Sequence, residues 1–278
     1  VAGTLIATVL EVGQQGFFAR DGDRLLPRSE ARGPWSDQML HGRLLGGIAA
    51  RAVEAVLGDP AFQPVRLTVD LFKAVGLDPL TTSVTITRDG NRVRAAEVSI
   101  EVGGVEAARG SALLLRTGAP PDNPVPGSPP WTDIGPEALE PSTEHPHLVF
   151  DLRFVPGHEF GSPGVRKAWY RETRPLVDGE QLTAFQRVAL VADYVNPFAN
   201  MGENGLDYIN ADLTLYVGRL PVGEWIAVET TEHVASDGVA VSSCRLHDEQ
   251  GPLGTTHVAA VLNPRMTPAA SAAELRQS

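Results

Sequence analysis

The chain has a single cysteine, Cys244. It can form no internal disulfide, and a zinc site built on several cysteines is impossible. Basic residues are also scarce. Lys and Arg total 23 against 34 Asp and Glu, a formal charge of −11, and no Lys/Arg run exceeds two residues. A general nucleic-acid binder needs a basic stripe, so that class is excluded, although a few local arginines could still hold one anionic ligand. No run of about 18 apolar residues exists, so no spanning helix is expected. Val1 to Val9 lacks the basic start of a secretory leader, and the expected location is cytoplasmic. The seven histidines form no H-x-x-x-H pair, so neither a metal nor another cofactor is predicted. G-x-S-x-G is absent, which removes the nucleophile elbow of α/β-hydrolases. Composition is otherwise ordinary, with 42% hydrophobic and 21% charged residues over 278 positions. That length suits two domains of about 100–150 residues.

Proline marks the boundary. Ala119–Pro141 holds Pro120, Pro121, Pro124, Pro126, Pro129, Pro130, Pro136 and Pro141, which excludes helix and central strand. The flanking parts read alike. In the first, Leu44, Leu45, Ile48, Ala52, Val53 and Val56 fall at helical spacing between Gly42 and Leu57. Gly46 and Gly47 sit inside, at about 1 kcal/mol each against alanine, which makes sense if something packs very close. Strands are predicted over 65–74, 81–88, 92–102 and 105–115, with turns at Asp89-Gly90 and Gly103-Gly104. In the second part a helix is predicted over 182–195, with Asn196 and Pro197 stopping it. Strands follow over 208–217, 225–233, 239–246 and 253–262, with a turn at Asp237-Gly238. Val69-Asp70-Leu71 answers Ala211-Asp212-Leu213, and the closing strands end at Arg116 and Arg265. The order, given twice, reads as an internal duplication. The predicted units are 1–118, a linker over 119–142, 143–265 and a frayed tail over 266–278.

A long helix with an antiparallel sheet buries one sheet face by letting the sheet wrap the helix. Two such units joined side by side give an α+β double hotdog, a dimer on one chain.

Several segments carry a family resemblance. They are Arg32-Gly33-Pro34-Trp35-Ser36-Asp37-Gln38-Met39-Leu40-His41-Gly42 before the first helix, and Leu190-Val191-Ala192-Asp193 on the second. Asn210-Ala211-Asp212-Leu213-Thr214 and Gly223-Glu224-Trp225 follow. Together, in this order, they resemble thioesterase-like double-hotdog proteins related to acyl-CoA thioesterase II. The resemblance implies hydrolysis of acyl-CoA or acyl-carrier thioesters to free acid and thiol.

Asp193 stands in the apolar run Val188–Val195. A carboxylate near the C-terminal end of a buried helix opposes the helix dipole and loses hydration. From the residues alone, a base that activates water and an aspartate that bonds a nearby loop donor are equally good readings. The resemblance favours the base. His41-Gly42 precedes the first helix, whose free N–H groups can hold an oxyanion. The resemblance assigns a comparable His-Gly pair that role, usually followed by a second glycine. Arg43 takes that place here, where it could narrow the pocket or point at a ligand phosphate. The resembled family has a hydroxyl residue on the next strand and a glutamine on the last. Asn210 stands at the first position and could orient water. Ala259 stands at the second and cannot, with His257 as the substitute two residues away.

The expected enzyme therefore uses Asp193 as base, Gly42 N–H as oxyanion holder and Asn210 as water positioner. Its acyl tunnel is lined by residues such as Leu45, Phe185 and Leu206, with surface arginines under the nucleotide end. The alternative is a non-catalytic acyl-thioester binder or assembly partner on the same fold, to which Ala259 points. Homo-oligomerisation stays open. A hydratase is disfavoured because no D-x-x-x-x-H occurs. His158-Glu159-Phe160-Gly161-Ser162-Pro163-Gly164 reads as a turn before a strand, and Cys244 as core.

Overall fold

The computed structural model describes residues 15–33, 36–120, 122–123, 125–131, 133–142 and 149–263. The expectations for Val1 to Val9, Arg265 and the tail fall outside these residues. The first half runs β1 (Phe18–Asp21), β2 (Arg24–Pro27), β3 (Arg32–Gly33), β4 (Ser36–Leu40) and α1 (Arg43–Leu57). It continues with β5 (Phe62–Leu71), β6 (Leu80–Asp89), β7 (Val93–Val102) and β8 (Val105–Arg116). The second half runs β9 (Phe150–Phe154), β10 (Lys167–Glu172), α2 (Ala184–Ala192), α3 (Val195–Asn200), β11 (Met201–Gly202) and β12 (Gly205–Leu206). Then come β13 (Tyr208–Asn210), β14 (Asp212–Val217), β15 (Trp225–Ser236), β16 (Val239–Asp248) and β17 (Gly251–Leu262).

One antiparallel sheet runs through both halves in the order β1-β2-β6-β7-β8-β5-β14-β17-β16-β15-β10-β9, with β13 also on β17. The join is the β5–β14 pair, where Asp70 lies opposite Asp212 and Val69 opposite Leu213. The two sequence segments that resemble each other are thus direct ladder partners. The hairpin at Asp237-Gly238 has positive φ at both residues, 52° and 78°. That is the backbone twist a tight two-residue turn requires.

α1 forms where the apolar spacing predicts it. Leu44, Leu45, Ile48 and Val53 are buried, and a fully buried side chain of this kind contributes about 1.5–3 kcal/mol. Gly46 and Gly47 are explained by α2. A methyl on Gly46 would lie 2.9 Å from the Ala189 carbonyl, and one on Gly47 2.7 Å from Leu190 Cδ2. The second helix differs from its prediction. Thr183 caps α2, accepting from Gln186 N–H at 3.1 Å. α2 then ends at Ala192 and the chain restarts as α3. Pro197 lies in the first turn of α3, where its missing N–H would have no helical partner anyway.

Not all of the proline-rich segment stands free. Leu139 packs with Val155, Trp169, Trp225 and Ala227, and Trp169 Nε1–H donates to the Ile134 carbonyl at 3.0 Å. Residues 17–18 cross to the second half, donating to the carbonyls of Pro175 and Leu176 at 3.0 Å.

Candidate active site

Gly42 precedes α1 with helical φ and ψ of −53° and −39°. The first turn is tight. Leu44 N–H donates to the His41 carbonyl at 3.0 Å and Leu45 N–H to the Gly42 carbonyl at 2.9 Å. Arg43 N–H reaches His41 Nδ1 at 3.4 Å. Among the described residues the Gly42 N–H has no acceptor. A methyl built on Gly42 would lie 3.6 Å from Asp193 Oδ2 and 4.0 Å from Oδ1. The structure therefore brings together the two residues that the sequence singled out from different halves.

Asp193 is the C-cap residue just after α2 and is 8% exposed. It opposes the dipole of its own helix but faces the N-terminus of α1, which favours a negative charge. Its Oδ1 accepts from Asn210 Nδ2 at 2.8 Å. Burial raises its pKa above the ordinary aspartate value, while the Asn210 hydrogen bond and the Arg43 charge pull it down. The Asn210 amide also donates to the Asp212 carbonyl at 3.2 Å, so its N–H groups hold Asp193 and the strand.

His41 lies partly buried beside Tyr194, with ring centroids 6.5 Å apart. Burial, then the Arg43 charge, holds the imidazole neutral by lowering its pKa well below the usual range. With Nδ1 accepting from Arg43 N–H, the ring proton belongs on Nε2. Arg43 is fully buried and does not face a ligand phosphate. Its guanidinium pairs with Glu172 and lies 5.0 Å over Phe17 and 5.2 Å over Phe150. Burial pushes the Glu172 carboxyl up, and Arg43 beside it pulls the other way. The phosphate role given to Arg43 is a correction: a cation in the first turn of a buried helix is unfavourable without a partner, and β10 supplies one.

Two family models match the sequence. The acyl-CoA thioesterase N-terminal domain matches residues 31–115, and the acyl-CoA thioesterase C-terminal domain matches residues 117–262. The chain belongs to the acyl-CoA thioesterase family. It is a hydrolase of the thioesterase class. No curated protein matches its sequence. Solved structures do match its fold. An acyl-CoA thioesterase II, TesB2, from Mycobacterium marinum is 19% identical, aligned over 80% of this chain and 88% of its own, with a TM-score of 0.61. A tesB protein from Mycobacterium avium subs paratuberculosis is 14% identical over 88% and 95%, with a TM-score of 0.66. A protein with a hot dog fold from Alicyclobacillus acidocaldarius is 15% identical over 88% and 94%, with a TM-score of 0.61. The fold is a hotdog. Among the described residues, no helix of this thioesterase is long and apolar enough to cross a membrane.

β17 turns His257 to the sheet face away from the helices and Asp193. Thr256, Val258 and Ala260 are buried on the helix side, where Thr256 Oγ1 donates to the Ala192 carbonyl at 3.0 Å. Strand alternation then turns His257 and Ala259 to the other face. There His257 Nε2 contacts Thr255 Oγ1 at 3.1 Å, and Ala259 N–H donates to Asp212 Oδ1 at 2.6 Å. Leu45 and Phe185 are buried in the main apolar core, and Leu206 is buried outside that cluster. Cys244 is fully buried, and burial pushes its thiol pKa far up, away from nucleophilic use. His158 Nδ1 meets the Val165 carbonyl at 2.6 Å, closing the turn before β10. The sequence reading missed Glu172, Tyr170 and Tyr194. The signal for Glu172 was Arg43 itself, which needed a buried anion.

Proposed function

We propose that this protein hydrolyses acyl-CoA thioesters at the junction of two hotdog units, residues 1–118 and 143–265, joined by the 119–142 linker. Acyl-carrier thioesters present the same reacting group. The single observation that carries the proposal is the Gly42–Asp193 approach, a buried carboxylate 3.6 Å from the position of a Gly42 methyl. Asp193 is the general base. It takes a proton from a water that attacks the thioester carbonyl, and the carbon becomes tetrahedral. The carbonyl oxygen gathers negative charge and is held by the Gly42 N–H at the positive end of α1. Collapse of this intermediate breaks the C–S bond. The thiolate leaves and recovers the proton from Asp193, giving free acid and thiol.

The other residues serve that step. Burial moves Asp193 toward neutrality, which makes it a stronger base than an exposed aspartate. Asn210 is a positioning residue: it fixes Oδ1 and leaves Oδ2 for water. His41, neutral with its proton on Nε2, is a second donor beside the carbonyl oxygen. Glycine at 42 keeps that approach clear.

Asp193→Asn tests the reading. The asparagine keeps the size and can still accept from Asn210, but it cannot take the proton. Turnover is expected to fall by about 10²–10⁴, measured as thiol release, while a thioether analogue of the substrate still binds. A folded-state carboxyl raised above its unfolded value weighs against the fold at any pH above that raised value. Melting temperature at neutral pH should therefore hold or rise. Unchanged thiol release would contradict the assignment. Saturable binding with no release by the parent protein would instead favour the non-catalytic binder.

A further inference from the structure

Arg43 is a cation that its own helix disfavours. It stands at the first position of α1, where the dipole repels positive charge, and its side chain is fully buried. Residues far along the chain hold it there. Its guanidinium pairs with Glu172 on β10, 129 residues away in sequence. The same group lies 5.0 Å over the Phe17 ring and 5.2 Å over the Phe150 ring. Its backbone N–H reaches His41 Nδ1 at 3.4 Å. This clamp joins the His41–Gly42 turn of the first half to β9 and β10 of the second. Phe150 extends it: its ring also packs on Tyr194, with centroids 4.6 Å apart, and Tyr194 follows Asp193. Gly42 and Asp193, which face each other across 3.6 Å from a Gly42 methyl to Oδ2, are each one residue from this buried cluster.

Stability alone is a weak reason for such a pair, because well-packed apolar side chains of similar volume often serve the fold as well or better. What Arg43 adds is charge. Burial comes first in each case, but the Arg43 charge also lowers the pKa of His41, Asp193 and Tyr194. It thus keeps His41 neutral and opposes the effect of burial on Asp193. The titratable and charged groups around Asp193 come from three elements. His41 and Arg43 lie at the start of α1, Glu172 and Tyr170 on β10, and Tyr194 directly after Asp193, while Asn210 on β13 is a neutral donor. Arg187 on α2 acts on Glu172. Arg43 supplies the positive charge that Asp193 feels, and Glu172 balances it.

We propose that Arg43, clamped by Glu172, is a positioning residue of the hydrolysis: it anchors the His41–Gly42 turn to the second half and sets a positive charge beside the Asp193 carboxylate. The inference rests on the proposed role of Asp193, so its test reads that carboxylate both with and without turnover. The full chain is labelled with an NMR-visible carbon isotope at its aspartate side-chain carboxyls. The Asp193 signal, identified by its loss in Asp193→Asn, is titrated. The acid limb of kcat/KM is measured on the same proteins with octanoyl-CoA. In Arg43→Met both should move up by about 1 pH unit, because a buried carboxylate loses its cation. Arg43→Lys restores the charge and should return both toward the parent value. In Glu172→Gln, where the Arg43 charge is left unbalanced, both should move down. A pair that only holds the fold would lower the melting temperature in each variant and leave the titration in place. If Arg43→Met does not fold, Arg43→Met/Glu172→Leu replaces the whole pair by apolar side chains and should still raise both values. An Asp193 titration that stays put in these variants overturns the proposal, as does one that Arg43→Met and Glu172→Gln move the same way. A titration that shifts as expected, beside an acid limb that does not follow it, would sink the hydrolysis reading and leave Arg43 as the charge on Asp193. A limb lost in Asp193→Asn, with a titration that Arg43→Met leaves unmoved, would do the reverse.

Discussion

The two ends of the α1–α2 pair share one plan and differ in their finish. The helices run antiparallel, so each N-terminus meets a carboxylate from the other helix. Gly42 meets Asp193 at one end, and Thr183 meets Glu54 at the other. Burial raises both carboxyl pKa values above the ordinary range. At the second end the carboxylate and the cap are engaged with each other. The Thr183 hydroxyl donates to Glu54 Oε2 at 2.8 Å and accepts from Gln186 N–H at 3.1 Å. The Gln186 side chain donates to the same Glu54 oxygen at 2.8 Å. At the first end a glycine stands where the threonine stands at the second, and its N–H has no acceptor among the described residues. One side chain thus separates a capped helix end from an open one, the end at which we propose the substrate is received. The frame supplies a carboxylate and a helix N-terminus twice, and the cap decides which of them is available.

Exchanging the caps breaks the comparison most severely. Gly42→Thr places a side chain against Asp193 at ordinary contact distance, in a backbone conformation that threonine adopts freely. Its hydroxyl would bond Asp193 as Thr183 bonds Glu54. Thiol release should fall by about 10²–10³, the usual effect of losing an oxyanion donor. Melting temperature should barely move, since threonine and glycine are similar caps. A fully active Gly42→Thr enzyme would remove the distinction between the ends. The opposite end gives a smaller effect of another kind. Thr183→Ala should cost about 1 kcal/mol of stability, or about 2–4 °C in melting temperature, read by thermal unfolding. Glu54→Gln keeps the two donors partly served and should change stability less still. Both variants should keep parental thiol release. Loss of turnover in Glu54→Gln would mean that chemistry also occurs at the capped end.

Legibility followed the range of the contacts. α1, β5 to β8 and β14 to β17 announce themselves through local periodicity and turn residues. The glycines of α1 even signal a close neighbour before that neighbour is known. β1, β2 and β9 carry no such signal, because residues 17 and 18 find their partners at 175 and 176, far along the chain. At the proposed site, Asp193 drew attention as a carboxylate in an apolar run and Gly42 through the family resemblance, and the fold places the two side by side. The face of β17 was not legible. Asn210 pairs with Ala260, but Thr214 pairs with His257, so the ladder slips by one residue at Ala211. A slip of one residue exchanges the faces of the sheet. His257 and Ala259 share a face with Asp212 and Thr214, not with Asn210. The pairing of Arg43 with Glu172 joins residues on different halves, and only the folded chain displays it.

The acid limb of the pH dependence of kcat/KM tests the central claim most directly. Asp193 works as a base only when ionised, so the rate should fall as pH drops through its pKa. Because burial raises that pKa, the limb should lie at higher pH than an exposed aspartate, whose ordinary value is about 3.9. In Asp193→Asn the residual rate should lose this limb and stay flat over the same range, while Glu54→Gln should keep it unchanged. An acid limb that persists in Asp193→Asn, or one that disappears in Glu54→Gln, would contradict the assignment of the Gly42–Asp193 end as the place where the thioester is hydrolysed.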